Sequence, residues 1–336
     1  MAVAHDVPRV AVVVIGRNEG ERLARCLDSV HAMDYPEDRF EIIYVDSDST
    51  DDSVRLAKAK HATVLEVKPE RPAAAIGRNA GWRAADAEFV LFLDGDTVLH
   101  ADFLRMAIAE FADERIAVVF GHRREIATDA SLYNRALDLD WVYPLGEFDF
   151  CGGDAVMRRS VLAEVDGYDD TLIAGEEPDL CGRMRALGHV VLHIDAPMTG
   201  HDMDMHRFSQ YWKRAVRSGH AYAEISERFK DSDDPFWSAE AERTLKHAAL
   251  VAGTPVAGVV ASVATRSPWP VAGVVAFWTA VLVRTAKRAR WKDPDPGTRA
   301  LYAVHTWVQK VPLAWGQLAF RRDRAKGERR GLIEYK

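Results

Sequence analysis

Phe89-Val90-Leu91-Phe92-Leu93-Asp94-Gly95-Asp96 is the stretch from which the fold can be read. Five apolar residues in a row, rich in β formers, predict a strand covered on both faces. The strand runs directly into two carboxylates separated by one glycine. Stability alone gives no reason for that ending, because desolvating two like charges is unfavourable. Asp-Gly is also ordinary turn chemistry, so an exposed turn is one reading. The other is that the pair faces a divalent cation, whose charge inverts the local electrostatics. The carboxyl ends of strands in an open α/β sheet are where ligands bind.

The flanking chain repeats the pattern. Val10 to Ile15 is a second fully apolar run, followed by the loop Gly16-Arg17-Asn18-Glu19-Gly20 and helical periodicity from Glu21 to Met33. Phe40 to Val45 ends in Asp46-Ser47-Asp48-Ser49-Thr50-Asp51-Asp52, where Ser49, Thr50 and Asp51 are N-cap candidates for a helix over 53–60. Thr63 to Val67 reads as a short strand and Ala73 to Ala85 as a helix carrying Arg78 and Asn79. Strands alternating with helices over short connections predict an α/β domain with a mainly parallel sheet and helices on both faces. Three polar strand ends, at 17–19, 46–48 and 94–96, then share one edge. Neither GxGxxG nor GxxxxGK[ST] occurs, so bound phosphates need a metal and basic side chains rather than a glycine cradle. Asp46 suits the N–H and hydroxyl groups of a base or ribose.

A second polar cluster lies in the middle of the chain. In Cys151-Gly152-Gly153-Asp154 the paired glycines point to close backbone approach before a short strand. Ala174-Gly175-Glu176-Glu177-Pro178-Asp179 starts a helix, with Pro178 and the acids suited to its first turn. Glu177 precedes proline, which predicts an extended backbone and a side chain projecting from the helix, as a general base requires. Val190 to Ile194 is a further strand. His201 beyond it is either a loop histidine or a third metal ligand.

Composition bounds the alternatives. At 336 residues, 48% hydrophobic and net charge −7, the chain is of globular type and carries no electrostatic sign of a nucleic-acid partner. Cys26, Cys151 and Cys181 show no paired spacing, which fits a reducing compartment. The segment 1–10 has no apolar core of signal-peptide length, so no secretion signal is expected.

The motifs resemble those of glycosyltransferase family 2. Val45-Asp46-Ser47-Asp48-Ser49-Thr50-Asp51 is similar to its VDDGSTD segment, with Ser47 and Asp48 as departures. Gly77-Arg78-Asn79-Ala80-Gly81 resembles ARNxG, Asp94-Gly95-Asp96 is its DxD, and the segment 175–183 resembles GEDxDLxxR. The resemblance covers roughly residues 8 to 215 and implies a GT-A fold and an inverting sugar transfer from a nucleotide-diphosphate sugar, UDP-sugar favoured. It implies nucleotide contacts from Asp46, Asp48, Arg78 and Asp94. Asp96, with His201, would hold Mg2+ or Mn2+. Glu177 would be the catalytic base, with Glu176 or Asp179 as alternatives. Gly153, Asp154 and Arg214 are secondary or acceptor-side candidates. Arg214 could reach a pyrophosphate or simply belong to a basic helix surface. Two other functions keep the same sheet: a nucleotidylyltransferase, whose Gly-rich basic first loop is only half present at 16–20, and a non-catalytic nucleotide-sugar-binding module.

From Ala248 the composition changes. Ala248 to Thr265 is 18 residues without a charge, and Trp269 to Val283 is a second uncharged run. Each is at the short limit for a membrane-spanning helix. The pair is expected to cross the bilayer as a hairpin or to dock on it, with a soluble helical subdomain as the remaining reading. Arg243, Lys246, Arg284, Lys287, Arg288, Arg290 and Lys292 place both flanks on the cytoplasmic side. Thr298 to Phe320 reads as an amphipathic helix interrupted at Pro312, and Arg321 to Arg330 as a basic tail for anionic headgroups. The expected organisation is 1–215 catalytic, 216–247 helical connector, 248–285 hydrophobic hairpin and 286–336 amphipathic helix with basic tail. Membrane contact points to a lipid-linked or saccharide acceptor at the bacterial inner membrane, with the catalytic domain cytoplasmic.

Overall fold

The computed structural model describes residues 7–328 and 331. The segment on which the absence of a signal was expected lies largely outside these residues, as do Arg329 and Arg330 of the basic tail. In chain order the elements are β1 (Val10–Gly16), α1 (Glu21–His31), β2 (Phe40–Asp46), α2 (Ser53–Ala59), β3 (Thr63–Glu66), α3 (Ala74–Ala84), β4 (Phe89–Asp94), β5 (Thr97–Leu99), α4 (Phe103–Glu110) and β6 (Ile116–Glu125). They continue as α5 (Leu132–Asp138), β7 (Gly146–Glu147), β8 (Ala155–Arg158), α6 (Arg159–Glu164), α7 (Glu176–Ala186), β9 (Val190–His201), α8 (Phe208–Arg228), α9 (Ser238–Thr265), α10 (Trp269–Arg288), α11 (Pro296–Val308) and α12 (Lys310–Ala325). They form two compact units, Met1–Ile126 with Trp141–Met203, and Ala127–Asp140 with Asp204–Lys336. The boundary expected at 215 falls inside the continuous helix α8, and residues 127–140 join the C-terminal helices.

The first unit is built on one sheet of order β3-β2-β1-β4-β8-β6-β9-β5, with β7 paired to β9. Its first half is parallel as expected: β1 lies between β2 and β4, and every residue from Val10 to Ile15 is buried. The second half is mixed. β8 enters antiparallel between β4 and β6, and β5 runs antiparallel to β9. The register aligns the strand ends: Gly16 pairs with Asp46, and Ile15 pairs with Asp94. β9 runs well beyond the expected end at Ile194. It carries Pro197 through a bulge opposite His122, where a missing N–H is tolerated. That extension puts His201 opposite both Thr97 and Glu125.

In the second unit α8 and α12 pack very closely. A Cβ on Gly219 would collide with the Leu313 carbonyl, and one on Gly316 with the Val216 carbonyl. The break between α11 and α12 falls at Gln309, and Pro312 lies in the first turn of α12, where its missing N–H has no helical partner to lose. Helices α9 and α10 are both long and apolar enough to cross a membrane by length and composition.

Candidate active site

The site begins with α3. Its two glycines let the helix lie directly on β1: a Cβ on Gly77 would stand 3.3 Å from Ile15, and one on Gly81 would run into Val13. This seats Arg78 at the carboxyl edge of the sheet, buried. Its Nη2 donates to Asp94 Oδ1 at 2.9 Å, while Nη1 lies 2.9 Å from Glu177 Oε1 and 3.3 Å from Glu176 Oε1. One guanidinium therefore joins the end of β4 to the start of α7, where Glu176 lies 98 residues beyond Arg78 in sequence. Burial works against the charge of Arg78, but Glu177, Asp94 and Glu176 together hold it firmly protonated.

Gly153 makes this pairing possible. A Cβ there would stand 2.5 Å from Arg78 Nη2 and 2.8 Å from Asp94 Oδ2. The next residue, Asp154, is fully buried. It accepts from the Asp94 backbone N–H at 3.0 Å and from Thr199 Oγ1 at 2.7 Å. Burial raises its pKa, with Arg123 opposing and Asp94 adding to the rise.

Helix α7 is entered through Gly175 in the left-handed region at φ +87°, which glycine tolerates without strain. Glu177 is helical here, not extended as its place before proline predicted. The pre-proline preference is a bias of one residue's backbone, and the acids that suit the helix N-terminus, two of them held by Arg78, set the turn instead. The Glu177 carboxyl is pushed up to about 7 by burial and by the neighbouring Glu176 charge, against the pull of Arg78. Asp179 faces elsewhere. It binds Arg183 Nε at 2.9 Å, and that guanidinium in turn donates to the carbonyls of Val165 and Gly167.

Asp96 and His201 come together as the strand register dictates. Asp96 Oδ2 lies 3.5 Å from His201 Nε2, both side chains are buried, and Glu125 Oε2 stands 3.5 Å from the other ring nitrogen. A carboxylate oxygen and an imidazole nitrogen set this close together are donor types that would suit one divalent cation. A carboxylate behind a ligating imidazole is the usual orienting arrangement. Among the described residues no third protein ligand joins them, so further coordination would come from substrate oxygens and water.

Asp46 is buried, and its oxygens accept from Tyr44 Oη at 2.9 Å and the Ser49 N–H at 2.8 Å, which shapes the loop after β2. Of the expected caps of α2, Asp51 Oδ1 accepts from the Ser53 N–H at 3.0 Å, whereas Ser49 and Thr50 serve other partners. Ser49 Oγ instead accepts from the Asn18 N–H, and Asn18 Oδ1 from the Thr50 N–H, tying this loop to the one after β1. Asp48 lies exposed at φ +62°, 3.2 Å from Lys68. Arg214 belongs to the second unit, where its charge acts on half-buried Asp140. Sequence reading missed Arg123, Glu125 and Trp141. Arg123 Nη2 stands 3.4 Å from Asp94 Oδ2, and its guanidinium lies 4.9 Å from the Trp141 ring centre. The available signal was Arg123-Arg124-Glu125, a charged end to the apolar run 116–120, like the three strand ends already singled out.

Residues 11–166 match the family model described as Glycosyl transferase family 2. Over 231 residues the chain is 24% identical to the probable glycosyltransferase YdaM of Bacillus subtilis, covering 63% of this chain and 54% of that protein. It is 26% identical over 244 residues to the pre-mycofactocin glycosyltransferase of Mycobacterium tuberculosis, covering 67% and 49%. The chain thus spans about half the length of these curated relatives. Among solved structures, the mannosyltransferase PcManGT from Pyrobaculum calidifontis, in complex with GDP-Man and Mn2+, superposes with a TM-score of 0.60 at 20% identity over 94% of this chain and 88% of that one.

Proposed function

Residues 11–166 belong to glycosyl transferase family 2, on a GT-A fold, and from that premise we propose that the chain transfers a sugar from a nucleotide-diphosphate donor to an acceptor hydroxyl with inversion. The observation that carries the proposal is the Arg78 guanidinium. It brings a strand-end carboxylate at Asp94 and a helix-start carboxylate at Glu177 into one place, where burial and the Glu176 charge, against the pull of Arg78, push the Glu177 carboxyl up to about 7. A base with a pKa near the working pH is effective in general catalysis.

Glu177 removes the acceptor proton as the hydroxyl attacks the anomeric carbon in line with the leaving diphosphate. The diphosphate leaves as an anion and needs no acid, so a single base suffices. Arg78 and Arg123 flank Asp94 and supply the basic side chains of the nucleotide end of the site. Asp154 and Gly153 keep the Asp94 turn in place. Asp46, with the loops at 16–20 and 46–53, forms the base and ribose side. Asp96 and His201 would hold Mg2+ or Mn2+, which when bound neutralises charge on the leaving diphosphate. In PcManGT the same fold holds GDP-Man and Mn2+. A UDP-sugar is our favoured donor.

The apolar pair α9 and α10, flanked by basic residues, supports association with the bacterial inner membrane, a cytoplasmic catalytic domain, and a lipid-linked or saccharide acceptor in envelope or exopolysaccharide synthesis. The test is a donor screen with purified protein in detergent, with and without EDTA. Release of a nucleoside diphosphate from one sugar nucleotide, lost in EDTA, is expected. Glu177→Gln is expected to abolish turnover while keeping donor binding, and full activity of that variant would remove Glu177 from the mechanism.

A further inference from the structure

We infer that α9 and α10 cross the bilayer completely, with the turn at 266–268 on the face opposite the hairpin's basic base. This rests on the membrane association proposed above and goes beyond it by excluding a hairpin that lies in the plane of the interface. An in-plane helix needs a polar face for the water side. Neither helix has one here. Over 248–265 the only side-chain polar groups are Thr254, Ser262 and Thr265, and over 269–283 they are Trp269, Trp278 and Thr279. All but the exposed Trp269 indole at the turn are bonded within the hairpin. Thr254, Thr265 and Thr279 donate to the carbonyls of Leu250, Ala261 and Val275, the Trp278 indole donates to Thr254 Oγ1 at 2.9 Å, and Ser262 Oγ accepts from the Val271 N–H at 3.2 Å. Helices apolar all round and exposed, with Val263 at 73% and Trp269 at 78%, are not suited to water or to an interface.

The N–H groups of the turn are bonded within it, which lessens the cost of hydrocarbon, where each unbonded backbone group costs several kcal/mol. The first turn of α10 has no N–H to spare: Trp269 donates to Ser267 Oγ, Pro270 has none, Val271 donates to Ser262, and Ala272 donates to the Pro268 carbonyl. At the end of α9, the N–H groups of Arg266 and Ser267 bond Val263 and Ser262. The two helices are in close contact below the turn, where a Cβ on Gly258 would stand 2.8 Å from Val274. A turn with its N–H groups bonded in this way loses less in crossing hydrocarbon than an open one.

Dimensions and charge agree. The uncharged segments of 18 and 15 residues measure about 27 and 22 Å. They bridge a core of ~30 Å with slight thinning and with the long cations at their ends reaching outward. Trp269, exposed at the turn, is a residue type suited to the interface there. The base carries Arg243, Lys246, Arg284, Lys287, Arg288, Arg290 and Lys292, whereas the turn carries Arg266 alone. That asymmetry holds the base on the cytoplasmic side.

The test uses cysteine accessibility in intact bacterial cells expressing the full chain. The native Cys26, Cys151 and Cys181 are buried. Ser267→Cys, with Trp269→Cys as a second turn position, is expected to react with a membrane-impermeant maleimide equally before and after permeabilisation. Lys246→Cys is expected to react only afterwards. Protein that stays in the membrane fraction while both turn variants react only after permeabilisation would overturn the crossing and leave membrane docking intact. Recovery in the soluble fraction as a dimer would overturn both, and would assign the apolar faces to a second copy.

Discussion

Replacing Glu176 by glutamine should move the pH dependence of the reaction downward. Glu177 stands about 2.5 units above its ordinary value of 4.5, at about 7. Burial is the largest cause and the charge of Glu176 the second, so removing that charge should lower the pKa, and a fall to about 6 would correspond to about 1.4 kcal/mol. A second effect has the same sign: both glutamates share Arg78 Nη1, which would then serve Glu177 alone. The sign follows from the base being active as a carboxylate, so that activity rises with pH through its pKa. At pH 6 the native carboxyl would be ionised in about one molecule in eleven, and in the variant in about one in two. The ratio kcat/KM at pH 6 should therefore rise about fivefold, with little change above pH 8, where both forms are ionised. Initial rates of nucleoside diphosphate release between pH 5.5 and 8.5 would measure it. A midpoint that stays in place or moves upward would show that Glu177 is not the titrating base.

Other perturbations probe the remaining parts. Asp96→Ala should lose turnover that no added Mn2+ restores, and should bind Mn2+ more weakly when free Mn2+ is followed by electron paramagnetic resonance. Gly153→Ala inserts a methyl between Arg78 and Asp94. A charge-assisted bond of about 1.5–3 kcal/mol is lost, which calorimetry would read as donor binding weakened about 10- to 100-fold. Gly219→Ala drives a Cβ into the Leu313 carbonyl between α8 and α12. It should destabilise the protein by about 1–3 kcal/mol in thermal unfolding.

Some of this was legible along the chain. The apolar runs at 10–15, 40–45 and 89–93 are strands because nearest-neighbour periodicity and β-branched side chains act over a few residues, and their polar ends marked one edge of a sheet. Short-range reading also placed α3 and the start of α7 correctly. It failed where a distant partner outweighs a local preference. Glu177 turned helical against its proline, and Asp179 bound Arg183. β9 continued through Pro197 because β6 and β5 pair with it there.

What the sequence determined by itself was which segments are strands, which loops carry the acids, and which helices are apolar throughout. The tertiary structure alone decided that Arg78 faces Asp94 and the α7 acids at once, that Asp154 holds the Asp94 turn, that Glu125 stands behind His201, and that Arg123 and Trp141 belong to the site. Secondary structure is set by forces within a few residues. These pairings depend on strand register and on glycines at 77, 81 and 153 that allow close approach, and both become defined only once the sheet has assembled.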